Sequence, residues 1–396
     1  MENIFERLFY SNHSTSLLAS VYRFIIFMIG SLWYEYHSPE FTLFSFKRWA
    51  VVLVLSPIIM ILMIWNHLGF LLDDIFYPNW ESQQVSKPLF IIGNARSGTT
   101  WLHRCITSLD TTKYTTFKTW EIIFAPSVIW RMFFHGCYSV DKAFGSPLYW
   151  TICAVESRLI GTSQLHAVGL QLAEEDEWLM THICLAQLMC FFYPCGPAAV
   201  CAPLIMFDAQ PPSAQPLSLS LKRNIFKYYR QCVQRHLYAR AMLHPHSDST
   251  EVVFVSKNPA FTLRLESLYR TFPDCRVVSL LRDPVQSIPS MVSYLSQVHW
   301  DCPRTWMSSG PKLIPQIDSV ASLPFCYIMS ALLTCVYARS IRVSSICLSF
   351  CVCLSVYLSV CLSIYLSVCL SAYLCVCLSA YLISICPAGV SVVLIA

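Results

Sequence analysis

Between Pro88 and His103 the chain reads Pro-Leu-Phe-Ile-Ile-Gly-Asn-Ala-Arg-Ser-Gly-Thr-Thr-Trp-Leu-His, and this stretch limits the fold more than any other. Residues 89–92 form an apolar run with the length and branching of a buried strand. Gly93 and Gly98 then bracket a turn, and the residues from Thr99 onward suit a helix. Strand, glycine turn and helix N-terminus together predict an anion site. Backbone N–H groups converge there, and the helix dipole favours negative charge. The spacing from Gly93 to Gly98 is that of a Walker A loop, but Thr99 stands where a nucleotidase needs Lys. The cation lies inside the loop instead, as Arg96. A Mg²⁺–ATP reaction, a nucleoside or sugar kinase included, is therefore disfavoured. By itself the same spacing also suits a plain glycine turn before a core helix.

Context comes much later. Residues 252–255 predict a second strand, ending in Ser256-Lys257-Asn258-Pro259. A helix over 263–271 follows, then a third strand over 277–281 that runs into Arg282-Asp283-Pro284. Ser290 lies eight residues beyond Arg282. In open α/β sheets, ligands bind at the carboxyl ends of strands, where Arg96, Lys257 and Arg282 all fall.

Arg96-Ser97-Gly98-Thr99-Thr100-Trp101-Leu102 resembles the 5′-phosphosulfate loop of sulfotransferases that use 3′-phosphoadenylyl sulfate (PAPS). Strand, Arg282-Asp283-Pro284 and Ser290 resemble their 3′-phosphate element. The resemblance covers roughly 88–300 and is specific at its two ends. It implies an α/β fold, a P-loop-like parallel sheet flanked by helices. It also implies PAPS as co-substrate, an acceptor hydroxyl or amine (a glycan among the candidates) and no metal. Arg96, Ser97, Gly98, Thr99, Thr100 and Trp101 would hold the 5′ side, and Arg282 and Ser290 the 3′-phosphate. A forked guanidinium suits that phosphate and distinguishes PAPS from ATP. Lys257 matches a basic residue near the family's active site. Glu121 stands where membrane-bound relatives place a general base, although it also reads as a surface carboxylate. His103 is a weaker rival for that role. The acidic run Glu174-Glu175-Asp176-Glu177 reads first as a solvated helix start. The resemblance adds an acceptor-side role for Glu175, Asp176 and Glu177.

Composition adds a membrane. The chain is 55% apolar and 13% charged, against about 25% charged in ordinary globular domains. A net charge of +4 without a Lys/Arg tract argues against nucleic acid. Residues 17–34 hold Arg23 and suit a buried or interfacial helix. Residues 49–72 are free of charge, and 24 residues of helix reach about 36 Å, enough to span. Lys47 and Arg48 precede this run and Asp73 and Asp74 follow it, which predicts a type II anchor. The expected organisation is a cytosolic segment over 1–48, a transmembrane helix over 49–72, a stem over 73–87 and a lumenal, Golgi-type sulfotransferase domain over 88–310. Asn12-His13-Ser14, a glycosylation sequon, points the other way.

Half of the 20 cysteines lie from Cys326 onward. There, over 347–385, Leu recurs at every fourth position from Leu354 to Leu382. That period fits neither helix nor solenoid. Repeated TGTC, read in frame, encodes Cys-Leu-Ser-Val, so this stretch reads as translated repeat DNA. Residues 311–396 are expected to be a hydrophobic, low-complexity tail outside the fold, a membrane hairpin being the rival. Within this reading, an inactive, truncated sulfotransferase-like membrane protein is the alternative to an enzyme.

Overall fold

The computed structural model describes residues 7–37, 46–94, 96–159, 169–187, 189, 203–205, 207–209, 217–245, 252–282, 287, 290 and 390–395. Its centre is a sheet with strand order β2-β3-β1-β4-β5. The strands are β1 (Leu89–Gly93), β2 (Tyr114–Thr115), β3 (Val253–Lys257), β4 (Arg276–Arg282) and β5 (Val390–Ile395). β1 pairs in parallel with both β3 and β4, and β2 pairs in parallel with β3. The three strands expected from the sequence are all present, each shifted or extended by a residue or two.

A central parallel strand is buried on both faces, and β1 is apolar for that reason. Phe90 and Ile92 face a large core with Phe117, Tyr229, Phe261 and Phe272. Ile91 faces the opposite way, toward Val255, Leu280, Leu102 and Ile106. Helices cover both faces, which makes the domain α/β as expected.

The helices, in chain order, are α1 (Leu17–His37), α2 (Phe46–Phe76), α3 (Thr99–Leu109), α4 (Thr119–Phe124), α5 (Val128–Ala143), α6 (Pro147–Leu159), α7 (Leu219–Leu243) and α8 (Leu265–Thr271). α7 is the long helix beside the core and buries Ile225, Tyr229, Cys232 and Val233 along one face. Ser218 caps it by accepting a hydrogen bond from the Leu221 N–H at 3.2 Å.

The N-terminal region departs from the expected division. α2 contains a helix long and apolar enough to cross a membrane, Leu53–Phe76. Residues 73–87, however, are no free stem. Asp73 is fully buried and accepts hydrogen bonds from the N–H groups of Val128 and Ile129, at 2.9 and 2.8 Å, and from Arg235 Nε at 2.9 Å. Trp80, in the short turn Pro78–Ser82, is buried beneath the Arg235 guanidinium, 3.5 Å above its ring. Nor is the segment before α2 separate. Arg23 of α1 donates to the carbonyls of Ser14 and Ile183, and Asn224 Nδ2 donates to the His13 carbonyl at 2.9 Å. Phe24 and Phe27 are buried in the large core. The reading of 17–34 as a buried helix holds. These contacts join the segment before α2 to the domain that follows it.

Of the tail expected over 311–396, only β5 lies among the described residues. It differs from the expectation by pairing antiparallel with β4, from Val277↔Ile395 to Arg282↔Val390. Its run of valines suits an edge strand. The repeat at 347–385 and Gly310 lie outside the described residues, as do Asp283 and Pro284.

Candidate active site

The loop after β1 closes where the spacing predicted. Gly93 has φ 137° and Gly98 φ 94°, both in the region that favours glycine. At Gly93 a Cβ would run into the Leu280 carbonyl of β4, so this position must lack a side chain. The Ser97 N–H and Oγ both bond the Asn94 carbonyl, at 3.2 and 2.6 Å, which tightens the turn. α3 then begins, with Gly98 at its N-cap and no side-chain cap there. The first N–H groups of a helix lack intrahelical acceptors, and an end of this kind suits an anion.

Residues far apart in sequence meet on this loop. Arg96 Nε donates to Ser290 Oγ at 3.0 Å, and Arg282 Nη1 donates to the Arg96 carbonyl at 3.0 Å. Arg96 itself has φ 68°, unusual for a residue with a Cβ. The Arg282 and Ser290 pair, expected from their spacing, thus lies against the loop residue expected on the 5′ side. Ser97 and Thr99 are buried, while Trp101 is 71% exposed on α3.

Lys257, at the end of β3, is fully buried and crosses to the same loop. Its Nζ donates to Thr100 Oγ1 at 3.0 Å and lies 2.9 Å from Glu175 Oε1 and 3.6 Å from Glu174 Oε2. Arg104 Nη2 of α3 is 3.6 Å from the other oxygen of Glu174. Below them Asp176 is buried, receiving hydrogen bonds from Tyr229 Oη at 2.6 Å and Asn258 Nδ2 at 2.9 Å. Burial pushes its carboxyl up to about 6, against the pull of those donors. Glu177 belongs to the core, 3.3 Å from Arg264.

Glu121 is elsewhere. Its Oε2 accepts from the Lys118 N–H at 2.8 Å, closing the first turn of α4, and its Oε1 is 3.3 Å from Arg131 Nη1. Arg131 in turn donates to His236 Nδ1 at 2.6 Å, and His236 Nε2 lies 2.8 Å from Thr115 Oγ1. Burial and the neighbouring Arg131 hold His236 well below its ordinary range, so it is neutral and Nδ1 is the acceptor. Every partner of Glu121 here fixes α4, α5 and α7 to one another. Glu121 thus lies within a contact between helices, whereas the carboxylates of Glu174 and Glu175 reach the loop through Lys257. His103 is fully buried, 2.8 Å from Thr116 Oγ1, with its pKa lowered to about 3 by burial and Lys257. It stays neutral, buried near Lys257 and Glu174.

Glu174 and Glu175 carried a signal in the sequence that was read as solvation: four acidic residues in a row. Lys257 is what turns two of them inward. Among the described residues no group of three or more His, Cys, Asp or Glu is placed to hold a metal.

Residues 205–309 match the family model described as the Sulfotransferase family. That segment contains Lys257, Arg282 and Ser290 but not the loop at 93–100. No curated protein matches the chain. Two solved structures are similar. The sulfotransferase STF1 of Mycobacterium tuberculosis shares 19% identity over 63% of this chain, with a TM-score of 0.43. The sulfotransferase STF9 of Mycobacterium avium shares 16% over 75%, with a TM-score of 0.46. This chain spans 59% and 66% of the lengths of those two chains.

Proposed function

We propose, from the premise that the chain carries a sulfotransferase-family domain, that it moves a sulfuryl group from PAPS to a hydroxyl, with a carbohydrate as the favoured acceptor class and an amine as the other. The observation that carries this reading is the meeting of Arg96, Arg282 and Ser290 on the loop between β1 and α3. Two guanidinium groups and an uncapped helix end suit a ligand with phosphate at both ends of its ribose.

In the proposed reaction the acceptor oxygen bonds to sulfur as the bond from sulfur to the phosphate oxygen breaks. The acceptor proton passes to a carboxylate, and 3′,5′-ADP leaves. Arg96 and the N–H groups from Gly98 to Thr100 offset charge on the phosphosulfate bridge. Lys257, already on Thr100, adds a cation beside that bridge. Glu175 takes the proton, with Glu174 holding Arg104 and Lys257 in place. Ser97, Thr99 and Trp101 shape the loop and its approach. The apolar α2 supports a membrane location, and we place the enzyme at the Golgi.

The test is a thermal melt of the full chain with and without 3′,5′-ADP. A ligand at 100 times its Kd adds about 2.7 kcal/mol to the folded state. The expected result is a clear shift that Arg282→Ala abolishes. A folded chain with no shift would sink the PAPS reading. The second reading, a binding module that no longer turns over, is favoured by the repeat at 347–385. It predicts the same shift and no sulfated product from any acceptor supplied with PAPS.

A further inference from the structure

The inward face of α2 is mixed. Ser56, Met63, Asn66 and Asp73 are buried along it, and Ile59, Met60 and Phe70 pack beside them against the core. The opposite face carries Val54, Ile58, Ile61, Ile64, Leu68 and Leu71, each at least 44% exposed. A helix on the surface of a water-soluble domain has the reverse pattern. The stripe continues sideways through neighbouring rings, one pair stacked and one edge to face. Trp65 lies 3.9 Å from Trp130 of α5, and Trp130 lies 6.1 Å from Phe133, which is 52% exposed.

This stripe cannot be the flank of a helix that crosses a bilayer with the domain on one side only. The inner face of the same turns is tied to the domain. Asn66 Nδ2 donates to the Ile123 carbonyl at 2.9 Å and lies 3.2 Å from His182 Nδ1. His67 Nε2 lies 3.3 Å from the carbonyl of Thr15, in the segment before α1. The residues before α2 and those after it therefore pack against one another.

We infer that α2 lies in the plane of one leaflet, apolar stripe down, and that the chain holds a lipid bilayer from one side without crossing it. A bilayer is the occupant that fits. The outward face is apolar from Leu53 to Leu71, within the stretch Leu53–Phe76 that is long and apolar enough to cross a membrane. Lys47 and Arg48 sit in sequence at its N-terminal end, as suits anionic headgroups. Trp65 and Trp130 supply the rings that favour the interface. Donor and acceptor would then reach a site held at a fixed height over the membrane.

The experiment uses the full chain synthesised with microsomes, bearing one epitope at the N-terminus and another in the exposed turn at Phe144. Vesicles are floated in high salt, and intact vesicles are treated with protease. The expected result is flotation, with both epitopes sharing one fate, cut or protected together. Opposite fates would show that α2 crosses, and overturn the inference. Failure to float, with the chain recovered as a soluble dimer or monomer, would overturn it too. Ile61→Glu with Leu68→Glu should lower the floated fraction at least tenfold while a cooperative melt persists. If that variant does not fold, Ile61→Gln with Leu68→Gln is read in the same way, and undiminished flotation of a folded variant would rule out the stripe. None of these readouts depends on PAPS, so a failure here leaves the sulfotransferase reading standing.

Discussion

Two carboxylate–cation clusters flank β3, and they look alike on paper. One joins Glu121 to Arg131 beside His236, and the other joins Glu174 and Glu175 to Lys257. The first is closed: α4, α5 and α7 each contribute a member, and the contacts run between helices. The second is open, because Lys257 also reaches Thr100 in the anion loop and Glu175 keeps 30% of its side chain exposed. Charge and burial do not separate the two clusters. What the cation touches on its other side does, and that is the ground for proposing Glu175 as the base.

Exchange of the two carboxylates breaks the comparison most sharply. Glu175→Gln should lower kcat by about 10²–10⁴-fold, the usual share of a general base, with binding of 3′,5′-ADP retained. Glu121→Gln should leave kcat per folded molecule within about threefold while lowering the melting temperature. The reverse pattern, read by steady-state kinetics and melting of both variants, would restore Glu121 as the base.

Next in size is the closed cluster's cation. Arg131 is 3% exposed and holds Glu121, His236 and the Ala125 carbonyl, so Arg131→Ala strands buried polar groups. A loss of about 3–5 kcal/mol in chemical denaturation is expected. A loss below about 1 kcal/mol would mean that the closed cluster is not structural.

Asp176 sharpens the comparison from beneath the open cluster. Its pKa of about 6 in the folded protein is above the ordinary carboxyl value, so the folded state binds the extra proton. Its contribution is fully present below about pH 4 and is lost as pH rises through about 6, a change of roughly 3 kcal/mol. His103 and His182, lowered to about 3 and about 4, act in the opposite sense, since a neutral buried imidazole favours folding as pH rises toward 6.5. The prediction therefore concerns the difference curve. Asp176→Asn should gain stability relative to the parent between pH 4 and 7, and a flat difference in denaturant titrations would refute it.

The smallest effect is expected at Gly69. A Cβ there would strike Trp130 Nε1 and Ser127 Oγ, in the first turn of α5, the helix that delivers Arg131 to the closed cluster. Gly69→Ala should cost about 1–3 kcal/mol through displaced α5 and leave 3′,5′-ADP binding intact. Loss of that binding would mean the two clusters are coupled through the helix layer.

Much of this was legible in the chain. The loop, β1, β3 and β4, and the spacing of Arg282 and Ser290, which both reach Arg96, are local features that sequence records directly. The choice between Glu121 and Glu175 does not. It depends on how the segment around Ala173 returns to lie antiparallel to Lys118, a contact with no local signature. The orientation of α2 was hidden for a different reason. When both faces of a helix are apolar, hydropathy reports a span and nothing about facing. Ser56, Met63, Asn66 and Asp73, spaced by sevens and a three, were the trace of the inward face. Asp73 reads in sequence as the flank of an anchor, and Ser56, Met63 and Asn66 do not interrupt its hydropathy.

β1 also carries a consequence in time. Both of its neighbours, β3 and β4, are made long after it leaves the ribosome, and each β1 partner pair spans most of the domain. Parallel pairings of such range close slowly. During that wait α2, already complete, has no domain on which to rest its inward face, whereas its outward apolar face can be satisfied at once by lipid. Association with the membrane would then come first, and the anion loop would be assembled last, on a chain already held in two dimensions.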